Sequence, residues 1–267
     1  MQENPVKQRL ENGEQVFGTM VFEFFSPGMP QIVKVAGAEF ILFDMEHTAI
    51  DLDTVKQQVA GCRGIGLPPY VRVPATDYHF IAHALDAGAM GIMVPMVETR
   101  EQAEFIVSCS RYPPAGRRGA AFGFAHDDYT GGDVAAKIAA ANARTMIMAL
   151  IETERGVANV DAIAAVPGID VLWLGHFDLT SFLGIPGQFS HPRYLAGVDA
   201  IVAAANRHRK AAGVLAADIA WGRDYLARGF RAMAYGIDHL LFQRALADGI
   251  AALRGDRVSA TPTQTPR

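Results

Sequence analysis

The chain is poor in cysteine, in lysine and in long apolar runs, and each shortage removes a class of protein. Its two cysteines, Cys62 and Cys109, have neither metal-ligand nor redox spacing. A disulfide framework is therefore excluded, and free thiols in a reducing cytoplasm are expected. No apolar stretch approaches the roughly 20 residues of a membrane span. The N-terminus, MQENPVKQRLENGEQ, is polar and charged and does not read as a secretory signal. Positive charge is not in excess either: the formal net charge is −4, whereas nucleic-acid binding needs a basic stripe. The five lysines (Lys7, Lys34, Lys56, Lys137, Lys210) fall in predicted helices or the N-terminal segment. None lies at a strand end, which disfavours imine chemistry, since that needs a desolvated lysine in a pocket. Zinc patterns of the HxH or HExxH kind, a GxGxxG after a strand, a P-loop and a GxSxG elbow are absent as well.

What is present is a regular alternation. Half of the 267 residues are hydrophobic, enough for one large core. Apolar runs predict strands at Val16–Phe24, Phe40–Phe43, Tyr70–Val73, Gly91–Pro95, Met146–Ile151, Val171–Leu174, Val214–Ala216 and Ala232–Tyr235. Helical spacing separates them, as in Val157–Val166 (stopped by Pro167-Gly168) and a long helix from Pro192 to Ala212. Residues 111–132 form an irregular insert rich in glycine, proline and aromatics. Eight βα units in a chain of this length predict a single (β/α)₈ barrel over residues 1–255, with an open doubly wound sheet as the alternative. Residues 256–267 read as a disordered tail.

The informative residues follow the strands. The fifth strand ends in Glu152, and the sixth is followed by Asp178. In a parallel sheet the C-terminal ends of neighbouring strands lie side by side, so two hard oxygen donors should face one small space. That suits Mg²⁺ or Mn²⁺ with positions open for water and substrate. Either acid alone could simply cap a turn or a helix; both, one βαβ unit apart, favour the ion. The second strand runs into Asp44-Met45-Glu46-His47, where a carboxylate beside a histidine would fix its tautomer and raise its basicity, as a general base requires. A plain surface-loop histidine is the competing reading. Arg72 interrupts an apolar strand and demands an anionic partner, structural or substrate. Glu23, Asp218 and Asp238 also follow strands, and His176, two residues before Asp178, could line the same space or make a structural hydrogen bond.

Taken in order, FDMEHTAIDLDTV, PYVRVPATDYHFIAHALDAGAMGIMVPMVET, RYPPAGRRGAA, LIETERGVANVDAI and LWLGHFDLTSFLGIPGQFSHP resemble the HpcH/HpaI family of metal-dependent aldolases. The resemblance covers about Gln15 to Phe242. The spelling GHFDLT…GIPGQF is most similar to members described as hydroxy ketoacid aldolases, which also accept hydroxypyruvate.

The resemblance implies a TIM barrel that adds the enolate of pyruvate or hydroxypyruvate to an aldehyde, making or cleaving 4-hydroxy-2-oxo acids. It implies a divalent ion (Mg²⁺, Mn²⁺ or Co²⁺) on Glu152 and Asp178, Arg72 at the keto oxygen, and His47 near the reacting carbon with Asp44 as its partner. Asp86 would reach a neighbouring subunit's site, main-chain amides around Phe177 and Asp178 would hold the substrate carboxylate, and Leu215 would shape the aldehyde side. A homohexamer, built as a trimer of dimers that exchange a C-terminal helix, is implied too, with Leu240–Leu253 as the candidate element. Two positions depart from the family's habit: Leu150 stands where a glutamine is common and His176 where a proline is. Two alternatives stay open on the same barrel. One is a citryl or malyl thioester lyase, for which the insert Arg111–Arg118 would have to grip coenzyme A; the other is a non-catalytic keto-acid-binding barrel.

Overall fold

The structure, a computed structural model, describes residues 1–255; the predicted tail 256–267 lies outside them. Eight strands form one closed, wholly parallel barrel in sequence order. They are β1 (Val16–Val21), β2 (Phe40–Asp44), β3 (Pro69–Arg72), β4 (Gly91–Val94), β5 (Met146–Ile151), β6 (Val171–Leu174), β7 (Ala211–Ala216) and β8 (Ala232–Ile237). The helices are α1 (Pro5–Glu11), α2 (Met29–Val35), α3 (Leu52–Cys62), α4 (Tyr78–Asp86), α5 (Arg100–Ser110), α6 (Val134–Arg144), α7 (Glu154–Ala158), α8 (Val160–Ala164), α9 (His176–Phe182), α10 (Pro192–Arg207), α11 (Ile219–Arg228) and α12 (Asp238–Arg254). Among the described residues no helix is long and apolar enough to cross a membrane.

Strand side chains alternate between two cores, as a two-residue period dictates. Phe40, Leu42, Tyr70, Met146, Met148, Leu150, Val171 and Trp173 fill the barrel interior. Val71, Ile92, Ile147, Ala149, Ile151, Leu172 and Leu174 face the helices. Continuing the inward series one step past the apolar run places Asp44 on β2, Arg72 on β3 and Glu152 after β5 on the interior side, at the C-terminal rim. Registry then pairs Asp44 with Arg72 and sets Leu150 against Trp173. Gly175 must be a glycine, because a Cβ there would come within 2.5 Å of Glu152.

Several expected boundaries move. The single helix expected over Val157–Val166 is two short ones, α7 and α8, broken at Asn159, whose side-chain amide donates to the Glu98 carbonyl at 2.8 Å. The helix expected to run to Ala212 stops at Arg207, since Arg209 turns the chain at φ 55°. Lys210 thus precedes β7, at the bottom of the barrel and far along the strand from the rim. Helix α1 was not foreseen. Asn4 caps it and Pro5 occupies its first turn, while Val6 and Leu10 plug the barrel floor.

Candidate active site

At the C-terminal rim a cavity of about 180 Å³ is lined by His47, Arg72, Glu152, His176, Phe177, Asp178 and Leu215, over a floor that includes Met20, Met93, Leu150 and Trp173. Of the nine candidate residues, the barrel brings seven, His47, Arg72, Glu152, His176, Phe177, Asp178 and Leu215, to one space. Asp44 stands just behind it, fully buried and ion-paired to Arg72 Nε.

Glu152 is buried, and its Oε1 accepts the main-chain amide of Met96 at 2.7 Å. Met96 gives that amide from φ 56°, a left-handed conformation rarely taken by a residue with a side chain. Burial, with Glu46 and Asp178 adding like charge, pushes the Glu152 carboxyl up to about 8 against the lowering effects of that amide and of Arg72. Asp178 lies in the first turn of α9, after Gly175 at its cap, so it follows the helix start and does not cap it. First-turn amides have no partner within a helix, and here Phe177 and Asp178 both border the cavity.

Among the described residues, Arg72 is the one guanidinium on the cavity wall. Its Nε donates to Asp44, its Nη1 lies 3.0 Å from Glu46 Oε2, and its Cζ sits 5.4 Å from the Phe22 ring centroid. The expected pairing of Asp44 with the His47 ring is corrected here. Asp44 Oδ2 takes the main-chain amide of His47 at 2.9 Å, and the imidazole Nε2 instead lies 3.7 Å from Glu46 Oε2. The reason is the tight turn after β2, in which Thr48 Oγ1 donates back to the Asp44 carbonyl and points amides, not rings, at Asp44. Glu46 was missed as a site residue; its two-residue spacing from Asp44 was the available signal.

His176 borders the cavity, but its ring is packed in an aromatic cluster, 4.5 Å from the Phe177 centroid and 5.0 Å from that of Trp221. Burial lowers its proton affinity to about 4, so it is a neutral core imidazole at ordinary pH. Asp86 does not join the group within this chain. It ends α4, pairs with the buried Arg118 at 2.6 Å, and faces a different cavity of about 390 Å³ near Lys56, His83 and Phe124. Of the other acids that follow strands, Asp238 accepts the amides of Phe22, Glu23 and Phe24, Asp218 caps α11 through Trp221 N, and Glu23 is exposed.

The donor set fits a divalent cation. Among the described residues no cluster of three or more His, Cys, Asp or Glu forms a closed cage, so the fit rests on the pair Glu152 and Asp178. Glu46, Glu152 and Asp178 put mutual like-charge repulsion beside Arg72, whose ion pairs go to Asp44 and Glu46, and the buried Glu152 carboxyl is held near 8 without an ion pair of its own among the described residues.

A closed parallel barrel with polar groups gathered in a cavity at the C-terminal strand ends has the architecture of a TIM-barrel enzyme. The family profile of the HpcH/HpaI aldolase/citrate lyase matches residues 19–245, and the chain belongs to that family. It is 37% identical over 220 residues to the 5-keto-4-deoxy-D-glucarate aldolase of Shigella dysenteriae, covering 82% of this chain and 85% of the relative. The corresponding Escherichia coli K12 protein is 36% identical over the same length, with the same coverage of each chain. Among solved structures, an HpcH/HpaI aldolase from Desulfitobacterium hafniense superposes with a TM-score of 0.88 at 29% identity, covering 97% of this chain and 98% of the other. The citrate synthase SbnG superposes with a TM-score of 0.82 at 31% identity, covering 93% and 97%.

Proposed function

We propose that this chain is a divalent-metal-dependent aldolase that forms an enolate from pyruvate or hydroxypyruvate and adds it reversibly to an aldehyde, giving 4-hydroxy-2-oxo acids. The observation that carries the reading is the convergence of Glu152, Asp178 and Arg72 on one cavity in which Glu152 is held near 8. Glu152 and Asp178 would hold the ion (Mg²⁺, Mn²⁺ or Co²⁺), and when bound it supplies Lewis acidity that favours enolisation of a 2-oxo acid.

The chain's own groups account for the rest. Arg72, fixed by two carboxylates, presents positive charge where the keto oxygen becomes an enolate oxygen, and charge fixed in advance helps most there. The first-turn amides at Phe177 and Asp178 receive the substrate carboxylate. His47 takes the proton from the methyl or hydroxymethyl carbon, and that carbon then bonds to the aldehyde carbon, whose oxygen takes up a proton; cleavage reverses each step. Leu150, Trp173 and Leu215 give the acceptor side an apolar wall that limits water. By the same reading the protein works as a homohexamer, a trimer of dimers, with Asp86 serving a neighbouring site. The exposed Leu240, Phe242, Leu246 and Ile250 of α12 agree with a covered C-terminal helix.

The thioester-lyase alternative is left with one exposed arginine of the insert, Arg117, as its coenzyme A grip. Arg111 and Arg118 of the insert are buried, the first donating to the Thr145 carbonyl and the second to Asp86. Deuterium exchange into pyruvate with added Mn²⁺ tests the proposal. Wild type should exchange, while Glu152→Ala, Asp178→Ala and His47→Ala should not; full exchange in the two acid variants overturns it. A non-catalytic barrel would show no exchange in wild type.

A further inference from the structure

We infer that Glu46 is the positioning residue that holds the His47 imidazole and the second edge of the Arg72 guanidinium over the cavity, the part expected of Asp44. The inference rests on the aldolase reading for its catalytic meaning, but its geometry stands alone. Asp44 directs its hydrogen bonds to Arg72 and the main chain: Oδ1 receives Arg72 Nε and the Glu46 amide at 3.3 Å, and Oδ2 receives the His47 amide at 2.9 Å. Glu46 is in the opposite condition. Its Oε2 lies 3.0 Å from Arg72 Nη1 and 3.7 Å from His47 Nε2. Yet that buried oxygen makes no aligned hydrogen bond among the described residues. A buried acceptor left in this state is disfavoured; Arg72 Nη1 supplies charge beside it, and the imidazole is the second donor within reach. His47 is the exposed partner of the two, with 55% of its side chain accessible against 17% for Glu46, so the ring is free to close the gap.

Three consequences follow. With Nε2–H donated to Glu46, the imidazole is fixed in one tautomer, and Nδ1 is the nitrogen left to accept the substrate proton. Arg72 is clamped on Nε by Asp44 and on Nη1 by Glu46, and stacked on Phe22, so the guanidinium enters the reaction already oriented. The negative charge on Glu46 also supports the imidazolium that forms as His47 takes the proton. The other charged groups acting here are Asp44 and Arg72 at the adjoining strand ends and Asp178 and Glu152 across the cavity.

The test pairs exchange kinetics with histidine NMR on wild type, Glu46→Gln and Glu46→Asp. In wild type the His47 signals, assigned by their loss in His47→Gln, should show the Nε2–H tautomer. Glu46→Gln should lower the imidazole's titration midpoint by about half a pH unit. It should also move the acidic limb of the pyruvate-exchange profile to lower pH by a similar amount, because loss of the carboxylate favours the neutral ring. The exchange rate should fall about 10- to 100-fold. Glu46→Asp, which keeps the charge, should keep the midpoint near wild type while the rate still falls, and it serves if Glu46→Gln does not fold. An Nδ1–H tautomer, or a midpoint and acidic limb in Glu46→Gln equal to those of wild type, overturns the inference. Absence of exchange in wild type would sink the aldolase reading and leave the NMR arm to decide on Glu46.

Discussion

Two buried carboxylates in this molecule are pushed in opposite directions. Asp127, in the insert between α5 and α6, accepts the amides of Gly123 at 2.8 Å and Phe124 at 2.9 Å and pairs with Lys137 at 2.6 Å. Burial works to raise it, but the Gly123 amide and the Lys137 ammonium prevail, and it is held down to about 2. Glu152 has one amide, that of Met96, two acids for neighbours and only the unpaired pull of Arg72, so burial drives it up to about 8. The same chemical group is thus finished in one place and unfinished in the other. A finished carboxylate is structure, because its partners come with the fold. One that folding leaves without a counter-charge is built for something that arrives later.

The largest expected effect separates the two directly. Glu152→Gln and Asp178→Asn should each lower pyruvate exchange by about 10²–10⁴-fold. Because Glu152→Gln removes a buried carboxylate that forms no ion pair of its own among the described residues, Arg72 being paired to Asp44 and Glu46, its urea midpoint should equal or exceed that of wild type. A large loss of stability in Glu152→Gln would erase the contrast, and Glu152 would then be a structural acid. Asp127 should behave in reverse. Asp127→Ala strands Lys137 and two amides, and unfolding should become easier by about 3 kcal/mol, read from urea unfolding at one protein concentration.

The sequence carried the frame better than the fine contacts. The eight strands were legible because interior strands of a parallel barrel are short, nearly continuous apolar runs, and β5 and β6 fall where Met146–Ile151 and Val171–Leu174 predict them. The early residues of β7, Ala211 and Ala212, read as helix because alanine is at home there, and only the left-handed turn at Arg209 ends α10 before them. Helix α1 was hidden by its charged outer face, although Asn4-Pro5 and the spacing of Val6 and Leu10 announce it. At the site, alternation brought Asp44, Arg72 and Glu152 inward from strand positions alone. What it did not carry was the choice of partner. Asp218 and Asp238 occupy equally promising places and are used up on amides, and Asp44 meets the His47 backbone where its ring was expected. Those outcomes depend on the path of loops a few residues long, and a one-residue change in path exchanges an amide for a side chain.

Metal linkage is a smaller effect on the same contrast. At a hundredfold excess over its dissociation constant, Mn²⁺ should stabilise the folded protein by about 2–3 kcal/mol, seen as a rise in unfolding temperature. The rise should vanish in Asp178→Asn and persist in Asp127→Asn, since only the unfinished pair has a place for the ion. An equal rise in both variants would mean that the ion binds elsewhere.

The smallest effect is in acid, where the direction follows from linkage. A carboxyl whose folded value lies below its unfolded one, as for Asp127 at about 2 against an ordinary 3.8, lends stability that is fully present above the unfolded value. That stability is lost as pH falls through the folded one. Wild type should therefore shed it between about pH 4 and pH 2, whereas Asp127→Asn, already without it, should unfold more easily at neutral pH and show a flatter acid limb. The two curves should converge toward pH 2. Urea midpoints measured at half-unit steps across that window decide the matter, and parallel curves would mean that the amides and Lys137 leave Asp127 no more acidic in the folded chain than in the unfolded one.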